Sequence, residues 1–252
     1  LLNREWDGKP EIERTWKRRY EKNAQIPQTI DGLCWLGYEF FVKSVTALDY
    51  PESAKLLDGW CQKQSQSLRL SPFDILWLGR DAQLLVYSPD PVQFRHRLLQ
   101  EYFSAEFFVS NPKLLTQELI EGVAQDQSKW PSVYLYGSLL RTVNDLINLI
   151  DKIIESASSI NQLWLALACW NWSPSFDKKD KEKFDLYSLN LAQTIAKQLS
   201  EQNELTILQI ELCHFAVRSS GRIGKDLLKL SASFALPKGR VYLYQILAKL
   251  DD

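Results

Sequence analysis

The chain contains no methionine and only two histidines in 252 residues. A natural chain of this length is expected to carry several methionines. It therefore reads as a piece of a longer polypeptide, or as a sequence from which methionines have been dropped. Cysteine is scarce too: Cys34, Cys61, Cys169 and Cys213 are scattered, with no Cys-x-x-Cys pair. That spacing offers no zinc ribbon and no disulfide framework, so reduced, mostly buried thiols in the cytoplasm are expected. Charge of one sign is lacking as well. The 30 Lys and Arg against 31 Asp and Glu leave a formal charge of −1, which gives no general pull towards nucleic acid or an anionic membrane. No apolar run approaches the roughly 20 residues of a membrane span. No signal-peptide pattern opens the chain.

Catalytic signatures are also missing. A phosphate-cradling loop needs Gly-x-x-x-x-Gly-Lys followed by Ser or Thr. The nearest stretch, Ser219-Ser220-Gly221-Arg222-Ile223-Gly224-Lys225-Asp226, has Ser219 at the first glycine position. It also has Asp226 where Mg²⁺ needs a hydroxyl. The chain is therefore not expected to hydrolyse ATP by itself. Cys213-His214 are adjacent with no second ligand pair, so no metal site is expected. No Ser/His/Asp or Cys/His set suggests itself, and Asp177/Asp180 and Asp251-Asp252 read as solvated charge. No catalytic residue is assigned, and the chain is not read as an enzyme.

What is present is core-forming material. Apolar residues make up 45% of the chain, with nine Trp, ten Tyr and eleven Phe, enough for a sizeable globular interior. Residues 1–30 read as a connector with a helix between Pro10 and Pro27. Its basic run Lys17-Arg18-Arg19 reads as a solvated helix face. Asp31 is placed to cap a helix over 31–49. Pro51 opens a second helix to about 64, and Ser71-Pro72 a third to about Leu84. Leu84-Leu85-Val86-Tyr87 and Val92 to His96 then flank Ser88-Pro89-Asp90-Pro91, a turn sequence that predicts a β-hairpin. Directly afterwards Leu98, Leu99, Tyr102, Phe103 and Ala105 fall at helical spacing. Three helices followed by a two-stranded wing is the order of a winged helix, here over 31–110.

Beyond it, Asn111-Pro112 predicts a helix through Ile120. Leu139 to Ile154 shows the clearest amphipathic period in the chain, and Leu163 to Trp172 reads as a buried helix. Ser173 to Phe184 reads as an exposed loop. Further helices are expected over 186–199, 206–217, 227–234 and 241–250. The expected fold is thus mainly α: connector 1–30, winged helix 31–110, and a helical bundle or HEAT-like array over 111–252.

One junction carries more than packing. Phe94-x-His96, followed by Leu99-Gln100-Glu101-Tyr102-Phe103-Ser104-Ala105, resembles the motif Phe-x-His-x-x-Phe-Gln-Glu-Tyr-Leu-Ala-Ala of NACHT-type signal-transduction (STAND) NTPases. It departs from that motif at Leu99, Phe103 and Ser104. Leu1-Leu2-x-x-x-Trp6-Asp7-x-x-x-x-Ile12 looks like a segment that precedes the winged helix in some bacterial members, with one extra residue. The resemblance covers about the first 110 residues. It implies that His96 reaches the β-phosphate of bound ADP and locks a closed state, an imidazole N–H donating to a phosphate oxygen. ADP or ATP is implied only where an ATPase module is present in the parent protein. The C-terminal helices would meet a protein partner or trigger, with homo-oligomerisation on release, in signalling or antiviral defence. Two other readings stand beside it. A helical interaction scaffold would use Trp164, Trp170 and Trp172 as a recognition patch, although these also suit a core. DNA binding would use the third helix, where Arg80 and Gln83 face Asp74 and Asp81 and the wing tip is Pro-Asp-Pro.

Overall fold

A computed structural model describes residues 22–64, 70–87, 91–155 and 160–174, and single positions from 176 to 187. The described residues are mainly helical with one small sheet. They fall into two compact units, one drawn from Leu1–Thr116 and Asp126–Tyr136, the other from Gln117–Gln125 and Gly137–Asp252.

The first unit opens on α1 (Lys22–Lys43). Asp31 lies inside this helix and does not cap it. Pro27 is also internal, at a cost in hydrogen bonding. The apolar period explains why the helix persists: Ile26 and Ile30 pack on the core two turns and one turn before Leu33, with Leu36 and Phe40 beyond it. The helix stops before the expected residue 49. Ser44 takes a left-handed φ of 55°, and Val45 N–H donates to Phe40 O at 3.0 Å. The chain released there forms β1 (Ala47–Leu48), a strand the sequence period concealed.

Two further helices start where their caps predict. Asp49 Oδ1 accepts from Glu52 N–H at 2.9 Å and opens α2 (Tyr50–Lys63), with Pro51 in its first turn. Ser71 and Asp74 form a reciprocal capping box at the start of α3 (Pro72–Asp81). That helix ends three residues before Leu84, because Gln83 adopts a φ of 61° and Leu84 N–H turns back to Gly79 O.

Strands β2 (Leu85–Val86) and β3 (Val92–Phe94) form the predicted hairpin, with Leu85 opposite Phe94 and Val86 opposite Gln93. β1 adds on the other side of β3, so the antiparallel sheet runs β1-β3-β2. α4 (Arg97–Ser110) follows at once. Leu33, Phe40, Leu57, Ile75, Leu76, Leu85, Val92 and Phe103 form the core between these elements. α1 and α4 approach closely at Gly37, where a Cβ would stand 3.0 Å from Phe103 Cβ and 3.1 Å from Ser104 N.

The chain beyond 110 departs from the predicted boundaries. A 3₁₀ turn occupies Pro112–Leu114, and the helix comes later as α5 (Gln117–Gln125), running through Gly122. After a second 3₁₀ turn at Gln127–Lys129 comes α6 (Trp130–Leu139). The amphipathic stretch is therefore broken. α7 (Val143–Glu155) starts afresh where Thr142 Oγ1 accepts from Asp145 N–H at 3.1 Å, a cap hidden within a continuous apolar stripe. Its buried residues Val143, Leu146, Ile150 and Ile153 keep the predicted period. α8 (Ile160–Asn171) buries Leu163, Leu165, Ala166, Cys169 and Trp170. Positions 179, 180, 182 and 183 are helical in place of the expected loop. The expected helices from 186 onward, most of the connector and Lys17-Arg18-Arg19 lie outside the described residues. Among the described residues, no helix is long and apolar enough to cross a membrane.

Candidate functional site

The residues around His96 divide into anchors and exposed groups. Phe94 is an anchor. It is 6% exposed and its ring meets Phe40 at 5.7 Å and Phe103 at 5.6 Å. Arg95 N–H donates to Leu84 O at 2.8 Å, extending the hairpin by one bond. Past that point the core has no claim on the side chains: Arg95, His96, Arg97 and Leu98 are all exposed.

His96 is the residue at which extended backbone becomes helix, with φ −135° and ψ 141°. Its carbonyl accepts from Leu99 N–H at 2.9 Å, but its side chain makes no capping bond. Among the described residues the imidazole has no hydrogen-bond partner. It stands at the start of α4, where the helix dipole favours negative charge.

Its neighbours are engaged. Arg95 Nη1 donates to Gln83 Oε1 at 3.0 Å. Arg97 donates through Nε to Glu101 Oε1 at 2.9 Å and through Nη2 to Ser128 O at 2.8 Å. Burial pushes the Glu101 carboxyl above its usual range, and the Arg97 guanidinium opposes that shift. Gln100 Nε2 donates to Val45 O at 3.0 Å, tying α4 to the chain that enters β1. Ser104 is fully buried, its Oγ 2.7 Å from Gly37 O and 2.8 Å from Gln100 O. Tyr102 donates to Glu106 Oε1 at 2.5 Å. Burial and that carboxylate push the phenol pKa upward. In the stretch Phe94 to Ala105, then, Phe94, Gln100, Phe103, Ser104 and Ala105 hold the junction in place, and the His96 imidazole has no partner among the described residues.

Other candidates resolve differently. Among the described residues no group of three or more His, Cys, Asp or Glu is placed to hold a metal ion. Cys34 and Cys169 are buried thiols whose pKa values burial raises. Cys213-His214 and Ser219 to Asp226 lie outside the described residues. The exposed residues of α3 are Phe73 and Arg80, and the Arg80 guanidinium sits 4.9 Å from the Tyr87 ring centre. The tryptophans part company: Trp170 is 6% exposed and Trp172 48%, while the side chain of Trp164 is not described.

Sequence reasoning did not foresee a groove of about 710 Å³ lined by α1 and α2, including Trp35, Glu39, Lys43, Glu52 and Lys63. Trp35 Nε1 donates to Leu56 O at 3.1 Å, fixing the indole. Lys43 pairs with Glu52 at 3.2 Å, and the Lys63 ammonium lies 5.6 Å from the Trp35 ring centre. The available signal was Glu39 and Lys43 one helical turn apart on α1. Set against known protein families, curated proteins and solved structures, the chain matches none.

Proposed function

We propose that this chain is the regulatory portion of a NACHT-type nucleotide switch, in which His96 contacts the phosphate of ADP held by an ATPase module of the parent protein. The observation that carries the reading is the exposed imidazole of His96 at the head of α4, which has no hydrogen-bond partner among the described residues. It lies inside a Phe-x-His…Gln-Glu-Tyr sequence whose other members are engaged in packing and bonding. The order of α1, α2, α3, a β2–β3 hairpin and α4 supports a winged-helix arrangement. An imidazole N–H donating to a phosphate oxygen joins two domains through one ligand and biases a two-state interface. ADP holds the closed state, a trigger received by the C-terminal helices opposes it, and release permits oligomerisation.

The test is dissociation of fluorescent ADP from the polypeptide that carries the ATPase module. A hydrogen bond to a charged group contributes about 1.5–3 kcal/mol, so His96→Ala is expected to speed release by about 10- to 100-fold. An unchanged rate refutes the reading. A second reading, a helical protein-interaction scaffold with no nucleotide role, is favoured by Phe73, 60% exposed beside the Tyr50 ring at 6.1 Å. DNA binding is not proposed, because α3 exposes a single cation, Arg80, already stacked on Tyr87.

A further inference from the structure

The first unit is assembled from two separated stretches of chain. After Thr116 the chain contributes Gln117–Gln125 to the second unit, then returns to the first as Asp126–Tyr136. The returning stretch is held in two unlike ways. Its far half is held by burial: Ser132, Val133 and Tyr136 are 3%, 0% and 6% exposed, and the Tyr136 ring meets Phe108 at 6.2 Å. Its near half is held at the surface. Asp126 Oδ1 accepts from Ser128 N–H at 3.1 Å and shapes the turn Gln127–Lys129. The turn reaches the body of the unit through Arg97 Nη2 donating to Ser128 O at 2.8 Å, and through the Lys129 ammonium 5.3 Å from the Phe41 ring centre. Ser128 is exposed and the Arg97 side chain is 55% exposed, so water competes for the bond.

We infer that residues 126–130 form a strap that opens locally while Val133 and Tyr136 stay seated, and that Arg97 is its latch. The guanidinium suits this role because Glu101 holds its Nε at 2.9 Å, which aims the rest of the fork at the Ser128 carbonyl. Arg97 is the first residue of α4 and follows His96 directly. A change in the first turn of α4 therefore reaches the strap through the Arg97 side chain. With the strap seated, the chain is pinned to the first unit as soon as it returns at Asp126. With it open, that attachment shrinks to the buried residues of α6. The inference rests on the Arg97 and Lys129 contacts and not on a nucleotide role for His96.

The test is cleavage of the full chain by a lysine-specific protease, with cuts assigned by mass. Cleavage after Lys129 requires the strap to open, and its rate follows the open population when reclosing is fast. Loss of one exposed hydrogen bond shifts that population by about three- to tenfold, so Arg97→Ala is expected to raise cutting after Lys129 by that factor. Arg95→Ala removes the same charge two residues away, from a side chain bonded to Gln83, and is expected to leave the rate unchanged. The urea midpoint of Arg97→Ala should fall by no more than the same single bond accounts for, since that bond is also lost on global unfolding. Equal Lys129 rates in Arg97→Ala and wild type overturn the proposal. So does an equal rise after Lys43, Lys63 and Lys129, which would mean loss of the whole unit, and so does an effect of Arg95→Ala as large as that of Arg97→Ala.

Discussion

Gly37 has no side chain, and α4 uses the space. A Cβ there would meet Phe103 Cβ, Ser104 N and Gln100 O at 3.0–3.2 Å, and two of those three are backbone atoms that cannot rotate away. Gly37→Ala should therefore push α1 and α4 apart and cost about 1–3 kcal/mol of stability, read from urea unfolding. An unchanged midpoint would mean the helices part freely. Glu39 lies on the same helix and makes a different prediction. Burial raises its carboxyl above the usual carboxylate range, against the opposing pull of Lys43 and Lys63. An acid whose pKa is raised on folding binds more protons when folded. Its contribution is present below its unfolded pKa and is lost as pH rises through the folded one. Glu39→Gln should thus gain on wild type in urea midpoint as pH rises from 4 towards 7, and a difference that is flat with pH contradicts this. Neither residue was legible as special. The sequence put Gly37 on an apolar face without showing what crosses it, and charge spacing alone does not report desolvation. The position of His96 was legible, because a strand period gives way to a helix period beside it.

Elements were legible where the sequence carries a local chemical signal and misread where tertiary contacts decide. Ser71-Pro72-x-Asp74 announces α3, and both halves of its capping box form, with Asp74 N–H 3.2 Å from Ser71 Oγ and Ser71 N–H 3.0 Å from Asp74 Oδ2. Ser71→Ala is expected to lower stability by about 1 kcal/mol and to speed amide exchange in the first turn of α3. If exchange there stays at the wild-type rate, the box does not hold the turn. The hairpin was legible from its proline-rich turn. Three features were not. α1 runs through Pro27 because its apolar face packs on the core on both sides of the proline. β1 is two residues long and exists by pairing with β3, some 45 residues later in the chain by the match of Ala47 to Gln93. The break at 140–142 is hidden because Leu139 and Val143 keep the helical spacing across it, and only the Thr142 cap marks the restart.

For the whole molecule, the mainly helical class followed from the period of the sequence, and boundaries were expected near residues 30 and 110. The described residues show a chain that leaves the first unit after Thr116 and returns at Asp126. No local signal could announce that return, because helical periodicity says which face is buried and not which neighbour buries it. The exposed junction at His96, held between two engaged arginines, is the site on which the proposed switch depends. The most direct test is the nucleotide content of the parent polypeptide purified without added nucleotide, released by denaturation and quantified by chromatography, for wild type and His96→Ala. The account predicts ADP near one equivalent in wild type and its loss from His96→Ala, with both proteins showing the same helical content by circular dichroism. Equal ADP in the two proteins, or a parent polypeptide that holds no nucleotide at all, would contradict it.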